Sequence, residues 1–177
     1  HWIKPGVRSL PAVGRSNVDT QQHRLQWNEN PFDFPADLKE EVLQRLARLE
    51  WARYPLGLRP WALTERIAAA NGLAPDQVVV SAGSSDLIKT IMACVLHPGD
   101  AVAMPAPTFL LYRQNARMLQ ANSIEVPLSA ADNFALKVDE LVEAAQVNDA
   151  RLTVVCAPNN PTGTVYSLEG VRRVAEA

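Results

Sequence analysis

Two cysteines, Cys94 and Cys156, are all that the 177-residue chain contains, and both lie inside apolar runs. They have neither the close pairing of a metal site nor the even framework of a secreted disulfide mini-domain, so reduced core residues are expected. An excess of charge is missing too: the net charge is -2 and the pI near 5.9. That leaves no basic footprint for nucleic acid or an anionic membrane, and points to a small molecule or a protein partner. No apolar run approaches the roughly 20 residues of a membrane helix, and nothing at the start reads as a signal peptide. A cytoplasmic setting is the resulting expectation. Internal repeats and low-complexity tracts are absent as well.

With 47% hydrophobic residues, the chain can bury a core and suits one domain, or one domain and a fragment of another. It begins at His1 and stops inside "SLEGVRRVAEA", where Leu168, Val171 and Val174 recur at helical spacing. A portion of a longer protein is expected.

Residues 1 to about 34 are rich in Pro, Gly, Asn and Arg with little periodicity. They read as an extended arm that needs something else to pack against. Trp2, Trp27, Trp51 and Trp61 all fall in the first third. Packing on the same subunit is the expectation for them, and a dimer surface is the alternative. A helix is predicted over 36–51: Pro35 suits its first turn, and Leu38, Val42, Leu46 and Leu49 form one face. The acids Asp37, Glu40 and Glu41 precede Arg45 and Arg48, as the helix dipole prefers. A second helix, over 60–71, is stopped by Gly72.

From there the pattern alternates. Strands are predicted at 77–82 ("QVVVSA"), 101–105, 123–127 and 151–157, and helices at 86–96, 110–120 and 138–145. Strands separated by single helices imply right-handed crossovers and a mostly parallel sheet covered on both faces, an α/β three-layer sandwich.

Ligands of such sheets bind beyond the carboxyl ends of the strands. After the first strand stand Gly83-Ser84-Ser85-Asp86, offering backbone N–H groups, hydroxyls and a helix N-terminus that can hold a phosphate. An ordinary helix cap is the plainer reading. The loop lacks the Gly-Lys-Ser/Thr of a P-loop and the GxGxxG of a dinucleotide fold, which disfavours a nucleotide. After the second strand, "PAPTFLLY" presents Phe109, either a core aromatic or a ring to cover a flat ligand. After the last, "APNNPTGTV" presents Asn160, whose amide can donate to a ring oxygen. A phosphate cradle, a stacking ring and an amide donor at three strand ends are far less expected together by chance than singly.

"APNNPTG", with "VVVSAGSSD", "MPAPTFLLY", "ARYP" and "LQWNENPF", resembles the first half of the pyridoxal-phosphate aminotransferases of fold type I. "WNENP" and "RYP" point to their histidinol-phosphate branch. The resemblance runs from about Leu25 to the end and implies the fold type I sandwich, truncated here, with residues 1–53 as an arm and part of a small domain. Residues 54–177 would then be the first portion of the large cofactor-binding domain. It implies that Ser84 and Ser85 hold the phosphate of pyridoxal 5'-phosphate, Phe109 stacks on the pyridine ring and Asn160 bonds its phenolic oxygen. Tyr54 would reach the phosphate held by the other subunit of a homodimer, and Asn28, Glu29 and Asn30 would lie on the substrate side. An amino donor and a 2-oxo acid acceptor are the implied substrates, with histidinol phosphate and 2-oxoglutarate leading.

Departures from the family are also legible. The stacking position is usually tyrosine and here is Phe109, which loses a hydroxyl. The phosphate loop is often G-A/S-D-E and here reads G-S-S-D, so Ser85 brings a hydroxyl where an acid is common. The Schiff-base lysine, the aspartate at the pyridine nitrogen and the carboxylate-binding arginine all lie further along in the family than residue 177. Lys4, Lys39, Lys89 and Lys137 are the chain's lysines, and none sits in that lysine motif. As written, the chain is expected not to catalyse transamination. A related enzyme, such as an aromatic aminotransferase or threonine-phosphate decarboxylase, is the alternative, and so is a non-catalytic cofactor-binding or dimerisation module.

Overall fold

The computed structural model describes residues 3–10, 28–54 and 60–177. In chain order the helices and strands are α1 Pro5–Arg8, α2 Ala36–Ala47, α3 Trp61–Asn71, α4 Ser84–Val95, β1 Ala101–Ala106, α5 Leu110–Met118, β2 Asn122–Pro127, α6 Val138–Val147, β3 Ala150–Thr153 and α7 Leu168–Glu176. The described residues divide into two compact units, one of residues 3–10 and 80–177 and one of residues 28–54 and 60–79.

In the larger unit the sheet has the order β2-β1-β3, all parallel. The step from β1 to β2 runs one way across the sheet and the step from β2 to β3 runs back past β1. Right-handed crossovers therefore set α5 and α6 on opposite faces. The core follows that division: Val102 and Met104 join Met92 and Leu96 of α4 and Ala116 of α5, whereas Ala103 meets Leu141 of α6 and Val126. Alternate residues of β1 thus bury into different layers, which is why this central strand reads as an unbroken apolar run. Helices α4 and α5, the sheet, and α6 with α7 make the three expected layers, and the sheet is parallel as expected.

Arg151 is the extra residue where β3 slips against β1. Its Nε donates to the Val95 carbonyl at 2.5 Å and lies 3.6 Å from the Asp100 carboxylate. The bulge thereby ties the end of α4 to the turn entering β1. That turn holds Asp100 below the usual carboxylate range, chiefly through the backbone N–H of His97.

Several expectations need correction. Residues 77–82 form no strand: residues 75–77 make a 3₁₀ turn, Val78 is extended, and Val79 is 74% exposed. Among the described residues no strand pairs with this segment, and β-branched composition without a ladder partner leaves an extended chain, not a strand. β3 is shorter than predicted, since its ladder ends with the Val154 N–H bond to the Ala103 carbonyl at 2.9 Å. Cys94 is exposed and Cys156 half-buried; both are free, but Cys94 is no core residue. The first residues are not all extended. α1 is a helical turn set against α5, so close that a Cβ on Gly6 would lie 2.1 Å from the Arg117 carbonyl oxygen.

In the smaller unit, α3 ends as predicted at Gly72, which takes the left-handed conformation (φ 66°) that glycine adopts without a Cβ clash. α2 stops at Ala47 and buries none of its residues. Leu38, Val42, Leu46 and Leu49, the predicted face, are all exposed. Trp51 is 80% exposed and Trp61 is also exposed, so these two are not packed away as expected; Trp2 and Trp27 lie outside the described residues. No described helix is long and apolar enough to cross a membrane.

Candidate functional site

α4 is joined to β1 by a short turn and packs on the sheet through Met92 and Leu96. It therefore runs antiparallel to β1, and its N-terminus lies toward the strand's carboxyl end. There Gly83 (φ 98°) turns the chain, and Ser84 and Ser85 open the helix, exposed. The first-turn N–H groups have no intrahelical acceptor, so they and the two hydroxyls are available to an anion. Ser81 donates its hydroxyl to the Asp86 carboxylate and closes the loop around Gly83. Lys89, one turn further on, is exposed.

β1 leads into α5 on one face of the sheet and its neighbour β3 leads toward α7 on the other, where α7 packs on α6 and Val174 joins the Leu141 cluster. Chains that leave adjacent parallel strands for opposite faces open a crevice between the strand ends. Phe109 stands in the loop after β1, as the residue before α5, and Asn160 in the loop that follows β3. The ring of Phe109 meets Tyr112 edge-on, with centroids 5.9 Å apart and planes at 85°. It also borders a cavity of about 310 Å³ lined by Met104, Pro107, Arg113 and Glu125 among others. Burial, with a smaller contribution from Cys156, pushes the Tyr112 phenol up to about 12. Burial likewise raises Tyr166.

The sequence reading missed the residue that joins these two loops. Asn159 is 2% exposed. Its Oδ1 accepts from Thr108 Oγ1 at 2.9 Å, and its Nδ2 donates to the Pro107 carbonyl at 2.9 Å and to Thr162 Oγ1 at 2.8 Å. Its backbone closes the turn: its N–H donates to the Thr164 carbonyl at 2.8 Å and its carbonyl accepts from Gly163 at 2.7 Å. Asn160, by contrast, is half-buried, and among the described residues nothing engages its side-chain amide. Two adjacent asparagines between prolines were the available signal that one faces inward and the other is left for a ligand.

Tyr54, Asn28, Glu29 and Asn30 belong to the smaller unit. Tyr54 is 88% exposed. Asn28 sits at φ 53°, and Asn30 Oδ1 accepts from the Phe32 N–H at 3.0 Å, which shapes the chain entering α2. Asp33 is held below the usual carboxylate range by Lys39 and then by the Phe34 N–H.

Residues 20–177 match the sequence model described as aminotransferase class I and II, a family dependent on pyridoxal phosphate. A histidinol-phosphate aminotransferase of Chlorobaculum tepidum is 36% identical over 175 residues, which are 99% of this chain and 49% of the relative. Its namesake in Chlorobium phaeovibrioides is 33% identical over 176 residues, 99% of this chain and 48% of the relative. The chain spans about half the length of the curated relatives it matches. Among solved structures, the aspartate aminotransferase from Thermotoga maritima superposes with a TM-score of 0.76 at 28% identity, over 86% of this chain and 42% of that one.

Proposed function

The chain belongs to the class I and II aminotransferase family, and from that premise we propose that the whole protein moves an amino group between histidinol phosphate and 2-oxoglutarate. The observation that carries this reading is the bonded junction of the two strand-end loops. It sets an aromatic ring and an unengaged amide one residue away from the same hydrogen bond, Thr108 to Asn159.

The residues present fit pyridoxal 5'-phosphate. Ser84, Ser85 and the N–H groups opening α4 would hold its phosphate, Phe109 would cover the pyridine ring, and Asn160 would donate to the phenolic oxygen. When bound, the cofactor supplies an electron sink for the pair left as the substrate gives up its α-proton. The Asn160 amide favours the ionised phenolic oxygen, since a hydrogen bond to a charged form stabilises that form. Phe109 would shield one face of the ring from water, and the N-terminus of α4 would hold the phosphate end, which together would restrict the cofactor's orientation. Proton transfer at the substrate falls to a lysine other than Lys4, Lys39, Lys89 and Lys137.

In this reading residues 1–53 are the arm and part of a small domain, and residues 54–177 begin the cofactor-binding domain. The protein is a cytoplasmic homodimer, Tyr54 reaches the phosphate of the neighbouring subunit, and Asn28, Glu29 and Asn30 line the substrate side. The choice of substrate is supported by the names of the relatives and by the "WNENP" and "RYP" stretches. The test is turnover of histidinol phosphate with 2-oxoglutarate by the whole protein. Activity is the expected result; no activity while other amino donors react would overturn the substrate assignment.

A further inference from the structure

We infer that Asn159 is a positioning residue that fixes the Phe109 ring and the Asn160 amide relative to each other, an inference that rests on the cofactor reading above. The β1–β3 ladder ends at Ala103 and Val154. Beyond it the two chains part toward opposite faces of the sheet, so backbone pairing does not set the distance across the crevice. Asn159 rejoins them through bonds that span 51 and 52 residues.

The chemistry of the residue suits that task. A primary amide has two donor hydrogens and a carbonyl acceptor on one rigid plane, and here all three functions are used. Pro107 and Thr108 immediately precede Phe109. Thr162 and Asn159 bracket Asn160, and both are pinned. The amide of Asn160 is therefore aimed by fixed neighbours while remaining unengaged itself. Buried polar groups that lose a partner keep their desolvation penalty, so the junction is stable only when complete. Aspartate in its place would still accept from Thr108 but would set a carboxylate against the Pro107 carbonyl. Leucine would fill the volume and make none of the bonds.

The experiment uses the whole protein and pyridoxal phosphate itself as the probe. Two quantities are read: the dissociation constant of the cofactor, and the pH midpoint of the bound cofactor's absorption, which reports the bond from Asn160 to the phenolic oxygen. Asn160→Ala serves as the reference. Thr108→Val and Asn159→Asp should each weaken binding about tenfold and move the pH midpoint in the same direction as Asn160→Ala. Added to Asn160→Ala, Thr108→Val should move the midpoint no further, because both act on one contact. A purely structural role would lower the thermal midpoint and leave the pH midpoint where it was. If Asn160→Ala moves the midpoint while Thr108→Val and Asn159→Asp leave it unmoved, the inference is overturned and the cofactor reading stands. Should Asn160→Ala itself have no effect, both fall. Thr108 is only half-buried, so Thr108→Val decides the matter even if Asn159→Asp does not fold.

Discussion

The junction of β1 and β3 and the helix α2 treat their side chains in opposite ways. At the junction a fully polar residue, Asn159, is buried and every function of its amide is bonded. Along α2 the apolar residues Leu38, Val42, Leu43 and Leu46 lie open, and no residue of the helix is buried. Burial therefore follows the neighbours a residue finds, not its polarity. At the junction the partners lie on the neighbouring strand-end loop, whereas among the described residues nothing buries the face of α2.

That contrast can be tested by substitution, beginning with the largest effect. Met104→Ala empties a site that is 1% exposed at the centre of the sheet. It should cost about 2–5 kcal/mol, read as a lowered urea midpoint. Asn159→Ala removes the acceptor of the Thr108 hydroxyl and the side-chain donors to the Pro107 carbonyl and Thr162, leaving Thr162 only the Thr164 N–H. A loss of about 1–3 kcal/mol is expected, as for a buried unsatisfied group; no loss would erase the contrast with α2. Ser167→Ala removes the side-chain cap on the Gly170 N–H at 3.0 Å and should cost about 1 kcal/mol by thermal denaturation. On α2 a charged substitution replaces an exposed apolar group, so no loss of stability is expected. The 177-residue chain should bind a hydrophobic dye, and Leu43→Glu with Leu46→Glu should reduce that binding without lowering helix content by circular dichroism.

Another expected effect is a matter of pH. Tyr112 is raised from 10.0 to about 12, so the folded state holds its proton more firmly than the unfolded chain does. The stability this contributes is fully present below pH 10.0 and is lost as pH rises toward about 12. The urea midpoint should decline across that window, and Tyr112→Phe should decline less.

Much of this was legible in the sequence, for reasons that can be located. The apolar run at Ala101–Ala106 and the helical spacing that follows are local patterns, so the parallel sheet and its layers followed. Phe109 and Asn160 were named because strand ends are where parallel sheets bind ligands. Asn159 was not, since which of two adjacent amides turns inward is decided by Thr108, 51 residues away. The segment 77–82 was misread for a related reason: valines give strand propensity, but a strand needs a neighbour that no local pattern supplies. The open face of α2 shows the same limit, because helical spacing marks an apolar stripe without saying what covers it.

The most direct test of the account is the pH titration of the absorption of pyridoxal phosphate bound to the whole protein, compared with its Asn160→Ala variant. If Asn160 donates to the phenolic oxygen, its removal withdraws support from the ionised form. The midpoint should then rise by about one unit, the size of a hydrogen bond to a charged group. An unmoved midpoint, with the cofactor still bound, would contradict the assignment of this crevice as the cofactor site.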